Sequence, residues 1–180
     1  MKEFRKMQKG FSLIEMLVVL TMVGIIMIVV IPQTGRVINT MQVKGTANQL
    51  AQDLQNARER AIAQGHQVAL VFTSNGNLLM SVTKYYRAND TLVVSQNKYS
   101  GCFLGLRPVN PPNTRPPDGL PAGMPDSSIE FAGNQVVFFP QGSGTPGAIY
   151  LTSKNRKIQS AVTVNMNGRV RVWRWDNGWY

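Results

Sequence analysis

The 180-residue sequence predicts an α+β fold, in which a long, bent N-terminal helix packs its second half on a mainly antiparallel β-sheet domain. Three observations carry this expectation. Residues 11–31, FSLIEMLVVLTMVGIIMIVVI, form one apolar run interrupted only by Ser12, Glu15, Thr21 and Gly24. Beyond Pro32, Ala47, Leu50, Ala51, Leu54, Ala57 and Ala61 recur at intervals of three and four, the period of an amphipathic helix. From Gln67 onward the texture changes to short apolar runs separated by turn residues, as in antiparallel strands.

Taken in order, residues 1–10 (MKEFRKMQKG) set four cations, Lys2, Arg5, Lys6 and Lys9, against the single anion Glu3. The 21 apolar residues that follow would span about 31 Å as a helix at ~1.5 Å per residue, the thickness of a bilayer core. The basic flank predicts a cytoplasmic N-terminus and an exported remainder. A cleaved secretory signal would need a small-x-small site, whereas PQTGRVINT follows the run. A plain N-terminal anchor satisfies the same physics. Glu15 is the exception within the run: it is either a residue snorkelling to the interface or an intramembrane carboxylate with a partner.

Pro32 predicts a bend, and Gly65 a stop, so the helix should cover residues 11–64. Strands are expected at 68–72, 78–83, 92–95, 129–131, 135–139, 148–152, 158–164 and 169–175, with turns at Asn75-Gly76, Asn155 and Asn167-Gly168. Residues 97–128 hold seven of the ten prolines, which predicts a long surface loop.

Composition narrows the chemistry. Lysine and arginine outnumber aspartate and glutamate by 19 to 9, a formal charge of +10 that suits anionic partners such as nucleic acid or lipid headgroups. The single cysteine, Cys102, and single histidine, His66, leave no intrachain disulfide, no cysteine-rich metal site and no constellation for catalysis. No catalytic residue, metal site or cofactor is therefore expected. Asp118 and Asp126 would need several more oxygens to hold calcium. SGTPG (143–147) lacks the Gly-Lys-Ser/Thr of a phosphate loop.

In the last strand, alternation places Arg169, Arg171, Trp173 and Trp175 on one face, and Val170, Val172 and Arg174 on the other. If the valines face the core, the arginine face meets solvent. Arg169 and Arg171 would then stand roughly 6.7 Å apart at ~3.3–3.4 Å per residue, near the ~6.8 Å rise of two nucleotides. The tryptophans could stack on unpaired bases. Lys154, Arg156 and Lys157 add charge in the preceding turn. The same pattern also fits a solvated, charge-protected edge, with the tryptophans covering the sheet.

KGFSLIEMLVVLTMVGII (9–26) resembles the signature of type IV pilins and type II secretion pseudopilins. The resemblance implies cleavage after Gly10 by a prepilin peptidase, N-methylation of Phe11, and pairing of Glu15 with the Phe11 amine of a neighbouring subunit. The leader, 1–10, would carry away +3, leaving +7. Residues 11–35 would form the transmembrane and assembly half-helix. Residues 36–180 would form the rest of the helix and a periplasmic β domain. VVFFPQGSGTPGAIYL (136–151) and VNMNGRVRVW (164–173) resemble the GspH/FimT group of minor pseudopilins and pilins, in Phe138-Phe139-Pro140-Gln141-Gly142 and in Gly168-Arg169-Val170-Arg171. This group implies a subunit of a type IV pilus or secretion pseudopilus in the inner membrane, with other pilin subunits as partners. By the link of FimT-type pilins to DNA uptake, Gly168, Arg169, Arg171, Trp173, Arg174, Lys154, Arg156 and Lys157 become candidate DNA contacts. The alternative is a GspH-type secretion pseudopilin that binds no nucleic acid.

Overall fold

The computed structural model describes residues 11–75, 78–87, 90–99, 102–106, 111–120 and 122–180, without the side chains of 29–36, 75, 78–80, 82–83, 85–87 and 90–98. The expected leader with Gly10, and Pro108 and Pro121 of the proline-rich stretch, lie outside the described residues. The chain divides into two compact units, residues 1–38 and 39–180.

Helix α1 runs Leu13–Gln64. In the first unit the Ser12 carbonyl opens it, accepting from the backbone N–H groups of Glu15 at 3.0 Å and Met16 at 3.2 Å. Glu15 falls in the first turn, where unsatisfied backbone N–H groups favour a carboxylate. Leu17, Val18, Val19 and Leu20 point in successive directions round the helix and are 46–70% exposed. Pro32 lies within α1, and the bend expected there involves side chains outside the described residues.

The second unit is built on the expected stripe. Val43, Ala47, Leu50, Ala51, Leu54, Ala57 and Ala61 are buried along one side of α1. The helix closes at Gly65, whose φ of 65° is the left-handed conformation of a helix stop. Two four-stranded antiparallel sheets share this core. The first orders β3-β2-β1-β5, from β1 (Gln67–Asn75), β2 (Leu78–Arg87), β3 (Asp90–Tyr99) and β5 (Gln135–Phe138). The second orders β4-β6-β7-β8, from β4 (Phe103–Leu104), β6 (Gly147–Thr152), β7 (Gln159–Val164) and β8 (Val170–Trp175). Val68, Leu70, Val136 and Phe138 of the first sheet, and Ile149, Leu151, Val162 and Val164 of the second, meet the helix stripe in one cluster.

The second sheet is covered on both faces. Every residue of β6 and β7 is buried, although antiparallel sheets commonly leave one face wet. The far face is covered by the proline-rich stretch, where Leu106 and Leu120 pack with Ala148, Tyr150 and Ala161. The expectation of a surface loop over 97–128 is corrected accordingly: β3 runs to a buried Tyr99, β4 falls inside the stretch, and Pro112, Pro116 and Asp118 are buried. Proline suits such a cover, because a segment lying across a sheet outside its ladder needs fewer backbone donors. Likewise 129–131 forms only an isolated bridge, Ile129 to Ile149, in place of a strand.

Candidate functional site

The described residues of the first unit present an apolar surface with one carboxylate. Phe11 is 78% exposed, and Glu15 is exposed four residues later. Among the described residues no helix is long and apolar enough to cross a membrane; the described side chains of the apolar run end at Ile28. A contiguous exposed apolar surface of this kind marks contact with protein or lipid.

In the second unit, two turns close on the helix. Pro140 sits in a tight turn in which the Gly142 N–H donates to the Phe139 carbonyl at 2.8 Å. Gly144 N–H reaches the Met166 carbonyl at 3.1 Å, tying this turn to the β7–β8 turn. Arg58 of α1 binds both: its Nε donates to the Gly142 carbonyl at 2.8 Å and its Nη2 to the Asn167 carbonyl at 3.4 Å. Gly168 lies against this junction with φ 70°, and a Cβ there would overlap the Gly142 carbonyl oxygen. The glycine of Gly-Arg-x-Arg is thus required by close approach. Arg169 beside it is exposed, on a depression of about 290 Å³ that Arg58 and Glu59 also line.

The arginine face of β8 departs from expectation. Alternation holds and Arg169 is exposed, but Arg171 and Trp173 are half-buried and Trp175 is buried, beside the proline-rich cover and not in open solvent. Arg171 Nη1 stands 3.6 Å from the buried carboxylate of Asp118, and its guanidinium lies 5.6 Å from the Trp173 ring centre. Asp118 accepts from the Thr163 hydroxyl at 2.5 Å, and Thr163 Oγ1 in turn accepts from Trp173 Nε1 at 2.9 Å. Trp175, read as a base-stacking residue, is 5% exposed and tilted against Trp179 with ring centres 5.2 Å apart. The opposite face is correspondingly more open: Val170 packs on the core, while Val172 is 37% exposed and Arg174 is exposed. The reason is that β8 is an edge strand, so its helix-side residues overhang the core.

Register separates the candidate cations. Val170 pairs with Val164, leaving Gly168 and Arg169 at one end of the sheet. Arg174 pairs with Ser160, next to the β6–β7 turn that carries the exposed Lys154, Arg156 and Lys157. The structure brings these last four to one end and Arg169 to the other.

Sequence reasoning missed a polar anchor under the cover. Arg115 Nε donates to both Glu130 oxygens at 3.1 Å, and its Nη2 to Glu130 Oε1 at 2.8 Å and Asp126 Oδ2 at 2.7 Å. The Tyr150 hydroxyl donates to Glu130 Oε2 at 2.8 Å. Hydrogen bonding to Glu130 raises the Arg115 pKa; burial, with the same carboxylate as acceptor, raises that of Tyr150. Burial likewise pushes the Cys102 thiol up, against a smaller opposing hydrogen bond with Thr46, which makes it a poor nucleophile. His66 is exposed. Among the described residues no three His, Cys, Asp or Glu side chains converge as metal ligands.

The family model described as "Type II transport protein GspH" matches residues 46–168, more than half of the chain. The chain belongs to the GspH family. The prokaryotic N-terminal methylation motif also matches, over residues 5–31. Together they make the chain a GspH-like subunit of the type IV pilin and pseudopilin superfamily, membrane-anchored and assembled with other pilin subunits. The GspH match opens on the buried stripe of α1 and ends at Gly168, one residue past Asn167, whose carbonyl Arg58 binds. Among solved structures, the chain is similar to the minor pseudopilin EpsH from the type 2 secretion system of Vibrio cholerae, at 18% identity and a TM-score of 0.49 over 73% of this chain and 95% of that one. A crystal structure of the same Vibrio cholerae pseudopilin gives 17% and 0.44, over 73% and 92%. No curated relative matches.

Proposed function

We propose that this GspH-family chain is cut after Gly10, methylated at Phe11, anchored in the inner membrane through residues 11–31, and built into a pilus or secretion pseudopilus with its β domain in the periplasm. Its work is done by interfaces and not by catalysis. The observation that carries this is the exposed apolar surface of the first unit with Glu15 as the single carboxylate among its described residues, inside the matched methylation motif. After cleavage the Phe11 amine is a cation at the membrane edge. A neighbour's Glu15 turns two unpaired charges in a low-dielectric setting into one pair, which selects one stagger between subunits. Intact mass of the native protein is expected to show a chain starting at Phe11, carrying one methyl group. Glu15→Ala should leave that processing and the β domain intact and reduce co-purification with other subunits at least tenfold. A mass starting at Met1, or normal incorporation of Glu15→Ala, would defeat the proposal.

The exposed cations favour a second role, displayed binding of DNA. With Arg171 held by Asp118 and Trp175 buried, the contacts fall to the cluster of Lys154, Arg156, Lys157 and Arg174, with Arg169 at the far end. Such binding is phosphate-led and sequence-independent. The full chain in neutral detergent should bind duplex DNA with a steep salt dependence. Lys154→Gln with Arg156→Gln should shrink the log–log slope by roughly 1.8, at ~0.9 per phosphate contact. Equal loss from Arg60→Gln with Lys84→Gln would mark the protein as a mere polycation.

A further inference from the structure

β8 is the outer strand of its sheet, and its outer edge is only partly closed. The Asn165 N–H bonds the Arg169 carbonyl at 3.1 Å. By alternation, residues 169, 171, 173 and 175 turn their backbone groups toward β7, and Val170, Val172 and Arg174 turn theirs outward. Tyr180 closes the position at Arg174, exchanging N–H to carbonyl bonds of 2.9 and 3.2 Å with it. Val170 and Val172 have no backbone partner among the described residues. Neither proline nor glycine interrupts Val170–Trp175, and the charge of Arg171, which could guard the edge, is turned onto Asp118. An open edge of this kind is a template for another strand.

Beside that edge lies a groove of about 320 Å³ between α1 and β8. Lys44 and Asn48 stand on its helix wall, and Ile158, Val172 and Arg174 on its sheet wall. Lys44 and Arg174 are both exposed. A strand laid along β8 would turn alternate side chains into this groove, where an apolar one meets Ile158 and Val172 and a carboxylate meets Lys44 or Arg174. A second copy of this chain would bring its own cationic edge against these cations, and like charges placed opposite each other destabilise a strand pair.

We propose that the open edge of β8, with the groove beside it, receives an extended acidic segment of another fibre subunit, added as a fifth strand. This rests on the reading of the chain as a fibre subunit. The test uses the full chain in fibres from its native host, with the photoreactive substitution Asn48→benzoylphenylalanine, and mass spectrometry of the cross-linked residue. The expected product joins a different subunit within three residues of an aspartate or glutamate. Its yield should fall about tenfold, the weight of one or two hydrogen bonds, in Val172→Pro. That change removes an outward N–H and spares the ladder to β7. Lys44→Glu with Arg174→Glu should lower the yield similarly, and this variant carries the test if Val172→Pro misfolds by thermal melting. A product with a second copy of the chain, a nuclease-sensitive product, a yield unchanged in the folded variants, or no product from a chain present in the fibre each overturns the proposal. A chain with Glu15 intact that never enters the fibre overturns the fibre reading itself, and the proposal with it.

Discussion

Gly168→Ala should cost the β domain about 3–5 kcal/mol, enough to unfold a marginally stable protein at ordinary temperature. Two effects add. A non-glycine residue at φ 70° carries about 1–2 kcal/mol of backbone strain. The new methyl group would also overlap the Gly142 carbonyl oxygen, a backbone atom already engaged by Arg58 at 2.8 Å, so relief requires moving a whole turn. Gly65→Ala separates the two contributions. Its φ of 65° is nearly the same, but no atom lies within 4 Å of the added carbon, so only the strain of about 1–2 kcal/mol should remain. Denaturant unfolding of the two variants in matched detergent measures the difference; equal losses would show that the Arg58 junction is looser than its geometry implies.

Glu130→Ala should cost about 2–4 kcal/mol, below the ~3–5 kcal/mol of a fully buried broken ion pair, since some water reaches both partners. The Arg115 and Glu130 side chains are 15% and 11% exposed. The loss leaves the Arg115 guanidinium with only the exposed carboxylate of Asp126 and removes the acceptor of the buried Tyr150 hydroxyl. Glu130→Gln keeps one acceptor oxygen for Arg115 while its amide NH2 can donate to the Tyr150 hydroxyl oxygen, and should cost about half as much. Because the helix-side core contains neither residue, the damage should fall first on the proline-rich cover. Hydrogen exchange should speed up at the Arg115 N–H, which is bonded to Gly123 at 2.9 Å, before it does in β7. Uniform loss of protection across both layers would argue against a separable cover.

The helix was readable because its signal is local and periodic. All six apolar positions from Ala47 to Ala61 identified from spacing are buried, and Gly65 ends the helix. β6, β7 and β8 lie where apolar runs and turn residues placed them, to within a residue or two. What sequence did not reveal is long-range. Asp118 meets Thr163 across 45 positions and Arg58 meets Gly142 across 84, and neither pair leaves a mark in its own neighbourhood. The face of β8 was misjudged because alternating Arg and Trp reads equally as a wet surface and as a snorkelling cover layer. The available clue lay in its neighbours. GAIYLT and QSAVTV contain no charged residue at all, and strands so free of charge are buried on both sides. That absence called for a second covering layer, and the proline-rich stretch was the segment left to supply it. The two-residue β4 is too short for any periodic signal.

The fastening of that layer has a chemical consequence. Arg115 on Glu130, Asp118 on Thr163 and Trp179 Nε1 on the Thr114 carbonyl hold it by contacts that form and break without bond-making chemistry. With Cys102 the only thiol in the chain, a reductant finds no internal cross-link to cut, and an oxidant can make none within one subunit. The layer therefore closes at any redox poise and needs no disulfide isomerase to sort its pairing.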